Sequence, residues 1–229
     1  MADDPTALAG LLPDFAALMA DPGFQASLDE RDATAKASEV RRSQQRRREA
    51  IAQAGLLVPT EDVEAIALGT VRDTMPLRLV RRFLDAVSAP RNGKPSPRFL
   101  VLLGDRGIGK TMACAWAVAE IGQGLAVGAD DLGRELSAFK RDSLVERIMR
   151  ARLLVVDDLG TESRDMGSAL FDVVNRRAAV PYALTMFTSN LTKDELVAKY
   201  DARIIERITA RGYIGSIKGE NLRKPLGTP

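Results

Sequence analysis

The chain of 229 residues reads as an α/β protein: a five-stranded parallel sheet sandwiched by helices, with a small helical region ahead of it. Three observations point there. From Phe99 onward, short apolar runs alternate with longer helix-patterned segments, as in a parallel sheet with right-handed crossovers. The first run, Phe99 to Leu103, leads into GDRGIGKT (Gly104 to Thr111) and then a stretch without charge from Thr111 to Ala119. Strand, glycine-rich loop and helix are the context that a G-x-x-x-x-G-K-[ST] phosphate loop requires. The third run, Leu153-Leu154-Val155-Val156, is apolar throughout, as a central strand covered on both faces must be, and it ends on Asp157 and Asp158.

Residues 1–30 carry six acidic residues and no Lys or Arg. Leu8, Leu11, Leu12, Phe15, Leu18 and Met19 recur there at helical spacing, and Pro13 interrupts them, which predicts two short amphipathic helices. That stripe either packs on its own domain or docks on a partner, because so short a segment cannot build a core alone. Residues 31–54 reverse the charge, with Arg41, Arg42, Arg46, Arg47 and Arg48 in a polar run. Such a run is a solvated helix or a contact for a phosphate backbone or a partner. It holds no aromatic side chain to stack on bases, so sequence readout is not expected. Gly55 and Pro59 break the segment. Thr60 opens a short helix with Glu61 and Asp62 in its first turn, and a second helix is expected from Pro76 to Val87. Pro90 to Pro97 reads as a loop. Strands then follow at 99–103, 125–129, 152–157, 183–189 and 213–217, with helices over 110–122, 131–150, 166–178 and 192–210.

The chemistry gathers at strand ends. Gly104, Gly107 and Gly109 can adopt positive φ, so consecutive backbone N–H groups can turn toward an anion, and the helix after them adds its free N–H groups and dipole. Asp105, Arg106 and Ile108 complete the loop, and Met112 follows it. Lys110 would reach the β- and γ-phosphates of a nucleotide, and Thr111 would hold Mg²⁺. Asp157 is the natural metal-associated carboxylate, and Asp158 would orient or deprotonate a water. Both belong on the sheet edge that carries the loop, because ligands of open α/β sheets sit at the carboxyl ends of strands. Asn190, after the fourth strand, would polarise the same water or touch the γ-phosphate. Arg203, Arg207, Arg211 and Arg223 are cations that a single-chain site does not use.

Composition excludes other chemistries. The chain has no histidine and one cysteine, Cys114. Histidine triads, histidine metal sites and internal disulfides are therefore out, and a reducing, cytoplasmic setting is expected. No apolar run approaches a membrane span. A net charge of +2 confines nucleic-acid binding to local patches.

GDRGIGKT, LLVVDDLGTES, VVNRRA, FTSNLTKDEL, ARIIERI and IKGENLR appear in an order that resembles the DnaC/IstB-type AAA+ ATPases, over roughly residues 98–224 with a looser match back to about 75. That group contains bacterial and phage helicase loaders and the helper ATPases of certain transposons. The resemblance implies ATP and Mg²⁺ as ligands and a P-loop AAA+ core over residues 76–229 without a helical lid domain. Residues 1–75 carry no recognisable family motif, and their short length and segregated charge lead us to expect a helical, partly flexible partner-binding region there. It implies a sensor role for Asn190 and an arginine finger acting in trans at Arg207, with Arg203 as a second candidate. Arg223 resembles the closing sensor arginine, and Arg176 and Arg177 match basic positions near the site or a subunit interface. The ADDL segment at Asp131 and Leu132 resembles the start of a helix leading toward the DNA-facing side. Many AAA+ proteins have Glu where this chain has Asp158, which reaches one methylene less far, so slow hydrolysis is expected. The leading expectation is a homo-oligomer that loads a hexameric replicative helicase onto single-stranded DNA, gripping it through the N-terminal region. The alternative is an ATPase helper of a DNA transposase; a small-molecule P-loop kinase or a non-hydrolysing ATP switch would explain fewer of these residues.

Overall fold

The computed structural model describes residues 15–89, 95–137, 141–162 and 166–222. Two units are distinct in it, Met1–Gln45 and Arg46–Pro229. In the first, α1 (Phe15–Ala20) precedes the opening of α2 (Pro22–Ala54). Pro22 suits the first turn of a helix, where its missing N–H is not needed, and the Asp21 carboxylate accepts the Phe24 N–H at 2.9 Å. α2 therefore begins well before the helix expected from residue 31. Every residue from Asp29 to Arg42 is exposed. Pro13, the expected joint between two short helices, lies outside the described residues.

The second unit takes up α2 from Arg46, where the helix changes character: Ala50, Ile51 and Ala54 are buried. α3 (Thr60–Leu68) ends at Gly69, whose φ of 73° lets the Gly69 and Thr70 N–H groups return to the carbonyls of Ile66 and Ala65. α4 (Met75–Ser88) starts on Thr74, whose hydroxyl accepts the Leu77 N–H at 3.3 Å, and it buries Leu77, Val80 and Phe83. The strands are β1 (Phe99–Gly104), β2 (Gly124–Gly128), β3 (Leu153–Leu159), β4 (Leu184–Ser189) and β5 (Gly212–Ile217). All pair in parallel, in the order β2-β3-β4-β1-β5.

Alternation along the strands builds two cores. Leu100 and Leu102 of β1 and Leu153 and Val155 of β3 face α2, α3, α4 and α5 (Lys110–Ile121). Phe99, Val101, Leu103, Leu154 and Val156 face the other layer. There they meet α6 (Ala129–Ser137), α7 (Arg141–Arg150), α8 (Gly167–Ala179), α9 (Lys193–Lys199) and α10 (Ala202–Ala210). Each such side chain, fully removed from water, contributes about 1.5–3 kcal/mol, which is why the sheet interior tolerates so few polar groups.

Two single helices expected from the sequence are pairs. The span 131–150 divides into α6 and α7, with residues 138–140 outside the described ones. The span 192–210 breaks at Asp201, whose φ of 57° ends α9 and whose carboxylate caps α10 by accepting the Arg203 N–H at 2.9 Å. Hydrophobic periodicity runs through this break, so the pattern alone does not reveal it.

Arg177 also departs from expectation. It lies away from the phosphate loop, fully buried at the amino ends of β3 and β4. Its guanidinium donates to Thr185 Oγ1 at 2.8 Å, Leu184 O at 2.5 Å, Ala151 O at 3.1 Å and Ile148 O. Burial pushes it down to about 10, so it stays charged. The last two carbonyls belong to the C-terminal end of α7, whose dipole favours a cation there. Arg176, next to it, is exposed.

Candidate functional site

Strand order brings three predicted groups to one edge. β4 lies between β1 and β3, and Ser189 at its end pairs with Leu103 of β1 on one side and Leu159 of β3 on the other. The residue after it, Asn190, therefore emerges between the phosphate loop and the Asp pair. In the loop, Gly107 and Gly109 have φ of 81° and 91°. That positive φ favours glycine at both positions, and a Cβ on Gly107 would also displace the Asn221 side chain, whose Oδ1 lies 1.9 Å from where it would sit. The Leu222 N–H donates to Gly107 O at 2.8 Å, which lays the segment after β5 along the loop. Arg223, the next residue, lies outside the described residues.

Lys110 is buried, and its ammonium donates to Gly104 O at 2.7 Å, Asp105 O at 2.8 Å and Asn190 Oδ1 at 3.0 Å. Asn190 Nδ2 in turn lies 3.4 Å from Asp158 Oδ1. The Thr111 hydroxyl sits 3.2 Å from both carboxylate oxygens of Asp157. Lys110, Thr111, Asp157, Asp158 and Asn190 thus form one connected polar cluster, as expected. Asp105 and Arg106 are exposed and Ile108 is buried. Met112 approaches the loop at Gly109.

The two aspartates meet different partners because β3 is irregular there. Val156 pairs with Phe187 and Leu159 with Ser189, so three steps on β3 match two on β4. This is a β-bulge, a device that re-aims side chains at strand ends. Asp158 holds it at φ 55°, a conformation that Asp tolerates better than most residues. Thr188, to which the sequence reading assigned no role, locks it: its hydroxyl donates to Asp157 Oδ1 at 2.6 Å and accepts the Asp158 N–H at 2.9 Å. The signal in the sequence is faint, a Thr-Ser pair ending an otherwise apolar strand. Burial raises the Asp157 carboxyl above its usual range and the charge of Asp158 adds to this, while the Thr188 and Thr111 hydroxyls and Lys110 oppose it.

This cluster fits the groups expected of it. A loop of backbone N–H groups ahead of a helix, with a lysine beneath, suits the phosphates of a nucleotide. One hydroxyl and one carboxylate suit Mg²⁺, which takes few protein ligands and completes its shell from phosphates and water. Cys114, behind the loop, is fully buried and burial raises its thiol, so it is a packing residue and not a nucleophile.

Arg203 and Arg207 stand apart from the cluster. Both guanidiniums lie over the Phe171 ring of α8, at 5.6 and 5.9 Å from its centroid. They line a groove of about 580 Å³ with Asn175, Glu206 and Arg211. Arg203 Nε and Nη2 already donate to one carboxylate oxygen of Asp201, at 2.9 and 2.6 Å. Among the described residues, Arg207 makes no ion pair. Among those residues, too, no helix is long and apolar enough to cross a membrane.

Solved structures resemble this arrangement. DnaI matches at 28% identity with a TM-score of 0.56, over 75% of this chain and 99% of that one. A primosome component of Streptococcus pyogenes serotype M3, itself described as putative, matches at 21% and 0.54, over 73% and 93%. The DnaC helicase loader matches at 19% and 0.51, over 65% and 93%. The five-stranded parallel sheet between helical layers is the P-loop AAA+ fold these proteins share. No curated protein sequence matches the chain. The model of the IstB-like ATP binding protein family matches residues 25–226, nearly the whole chain, and the protein belongs to that family.

Proposed function

We propose that this protein hydrolyses ATP and uses the cycle to load a hexameric replicative helicase onto single-stranded DNA. The observation that carries the reading is Asn190 bridging Lys110 and Asp158 across three strand ends. A simple phosphate-binding turn needs the loop and lysine but no such bridge.

In this reading Lys110 and the loop N–H groups bind the β- and γ-phosphates, and Thr111 and Asp157 hold Mg²⁺. When bound there, Mg²⁺ would neutralise charge on the phosphates. Asp158 orients and deprotonates the attacking water, and Asn190 holds that water's position relative to the γ-phosphate. Arg207 of a neighbouring copy stabilises the charge that develops, because Arg203 is committed to Asp201. Arg223 closes on the nucleotide from the segment that lies along the loop. Short Asp158 keeps turnover slow, so ATP binding sets the conformation more than hydrolysis does. The N-terminal region grips the helicase, and basic positions facing the assembly's interior hold the DNA backbone. The relationship to DnaI over 99% of that chain supports the loader over a small-molecule kinase.

The match to the IstB-like family favours a second reading, an ATPase helper that recruits a transposase to duplex DNA. A pull-down of the host's replicative helicase and of a co-encoded transposase, with and without ATP, separates the two. Capture of helicase alone supports the loader, and capture of transposase alone overturns it in favour of the helper. Lys110→Ala should lose ATP turnover by on the order of a hundredfold or more, read as phosphate release.

A further inference from the structure

Among the described residues at the β3 end, Glu162 is the carboxylate that the proposed chemistry does not use, and it is more deeply buried than Asp157 and Asp158. Its side chain is 1% exposed. Burial of a charge is tolerated only where hydrogen bonds and counter-charge satisfy it, and here the donors come from two elements. The Gly160 N–H donates to Oε2 at 2.9 Å. The Tyr200 hydroxyl and, at 3.1 Å, the Lys199 ammonium reach Oε1. Lys199 also donates to Gly160 O at 3.0 Å and Glu162 O at 3.3 Å.

Both ends of this contact lead to functional groups. On one side, the Thr161 N–H and hydroxyl both return to Asp158 O, at 3.1 and 2.8 Å. The loop therefore grips the backbone of the residue that orients water. It is also closely packed: Gly160 has φ 104°, and a Cβ there would lie 2.5 Å from Leu191 Cδ1. On the other side, Lys199 and Tyr200 end α9, and the next residue, Asp201, turns the chain and caps α10. α10 carries Arg203 and Arg207. The path from Asp158 through Thr161, Glu162 and Tyr200 to Asp201 and α10 is continuous in hydrogen bonds and chain.

We propose that Glu162 and Tyr200 form a positioning pair that ties the Asp158 end of β3 to the α9–α10 elbow, and so sets where Arg207 stands for the neighbouring subunit. The proposal rests on the reading of Arg207 as a residue acting in trans on ATP hydrolysis. The pair touches no nucleotide and moves no proton; it acts by fixing an angle between two segments. Mispositioning a charge-stabilising group lowers turnover without weakening ground-state binding.

The test is a double-mutant cycle of Tyr200→Phe with Arg207→Lys, read by steady-state and single-turnover ATP hydrolysis so that slow variants stay measurable. Tyr200→Phe removes one hydroxyl and keeps the ring in the core. Lys199→Met, which releases Glu162 from the solvent side, is the second variant should Tyr200→Phe melt early. Each should lower kcat by on the order of tenfold, with KM for ATP unchanged. In the Arg207→Lys background the same substitution should change kcat by less than about twofold, because the group it positions is already altered. Equal losses in both backgrounds, or a kcat like that of the wild type, overturn the relay alone. A wild-type protein without ATP turnover overturns the reading of the site and the relay with it.

Discussion

Asp157 shows how a single residue trades stability for chemistry. Its carboxyl is raised by burial, so the folded protein holds that proton more tightly than the unfolded chain does. The resulting stabilisation is present below the usual carboxylate range and is lost as pH rises through the raised value. At neutral pH the ionised carboxylate therefore costs stability. Asp157→Asn should keep the hydroxyl contacts of Thr111 and Thr188 and remove that cost. We expect a melting temperature at pH 7, without nucleotide, that is unchanged or about 2–4 °C higher, together with loss of ATP hydrolysis. A fall of more than a few degrees would contradict this account. Lys110, Thr111, Asp157 and Asn190 were legible because each is defined by spacing from a strand or a loop. Thr188 was not, since a threonine in a strand is ordinary until the register shows what it faces.

At the level of elements, Arg177 joins the end of α7 to the first residues of β4 through the carbonyls of Ile148, Ala151 and Leu184. The resemblance placed it, with Arg176, near the site or a subunit interface. What buries it is contributed by segments up to 29 residues away, which periodicity cannot see. Arg177→Met should leave Leu184 O and Ala151 O without this donor and cost about 3 kcal/mol or more. That is a drop on the order of 6–12 °C in melting temperature, with ATP affinity per folded molecule unchanged by fluorescence titration. Arg177→Lys should recover little, because an ammonium lacks the planar fork that serves several acceptors at once. The strands were legible to within a residue or two, being short apolar runs bounded by glycine, charged or polar residues. The α9–α10 break was not, because it depends on one backbone angle at Asp201.

For the whole molecule, the useful question is where the proposed partner-binding region can be cut away. The resemblance suggested residue 75, yet Ala50, Ile51, Ala54 and Ile66 are part of the core that covers one face of the sheet. A cut after residue 45 follows the boundary of the compact unit. The fragment 46–229 should fold with a cooperative melt and bind ATP like the full chain, and it should fail to capture helicase in the pull-down. Retained capture would move the gripping surface onto the AAA+ core. A fragment starting at residue 76 should be insoluble, for loss of those buried side chains.

The bulge in β3 has a consequence for how this chain can lose activity over generations. Val156 and Leu159 face the same core, and Asp157 faces α5. Remove Asp158 and the strand alternates without interruption, with Leu159 dropping into step behind Asp157. The second carboxylate is thus an inserted residue, held by hydrogen bonds to Thr188, Thr161 and Asn190 and absent from the two buried core clusters. On the proposed role of Asp158, a single-codon deletion there should yield a protein that folds and binds ATP without hydrolysing it. A nucleotide-locked descendant is then one mutational step away, which a melt and a phosphate-release assay of the deletion variant would check.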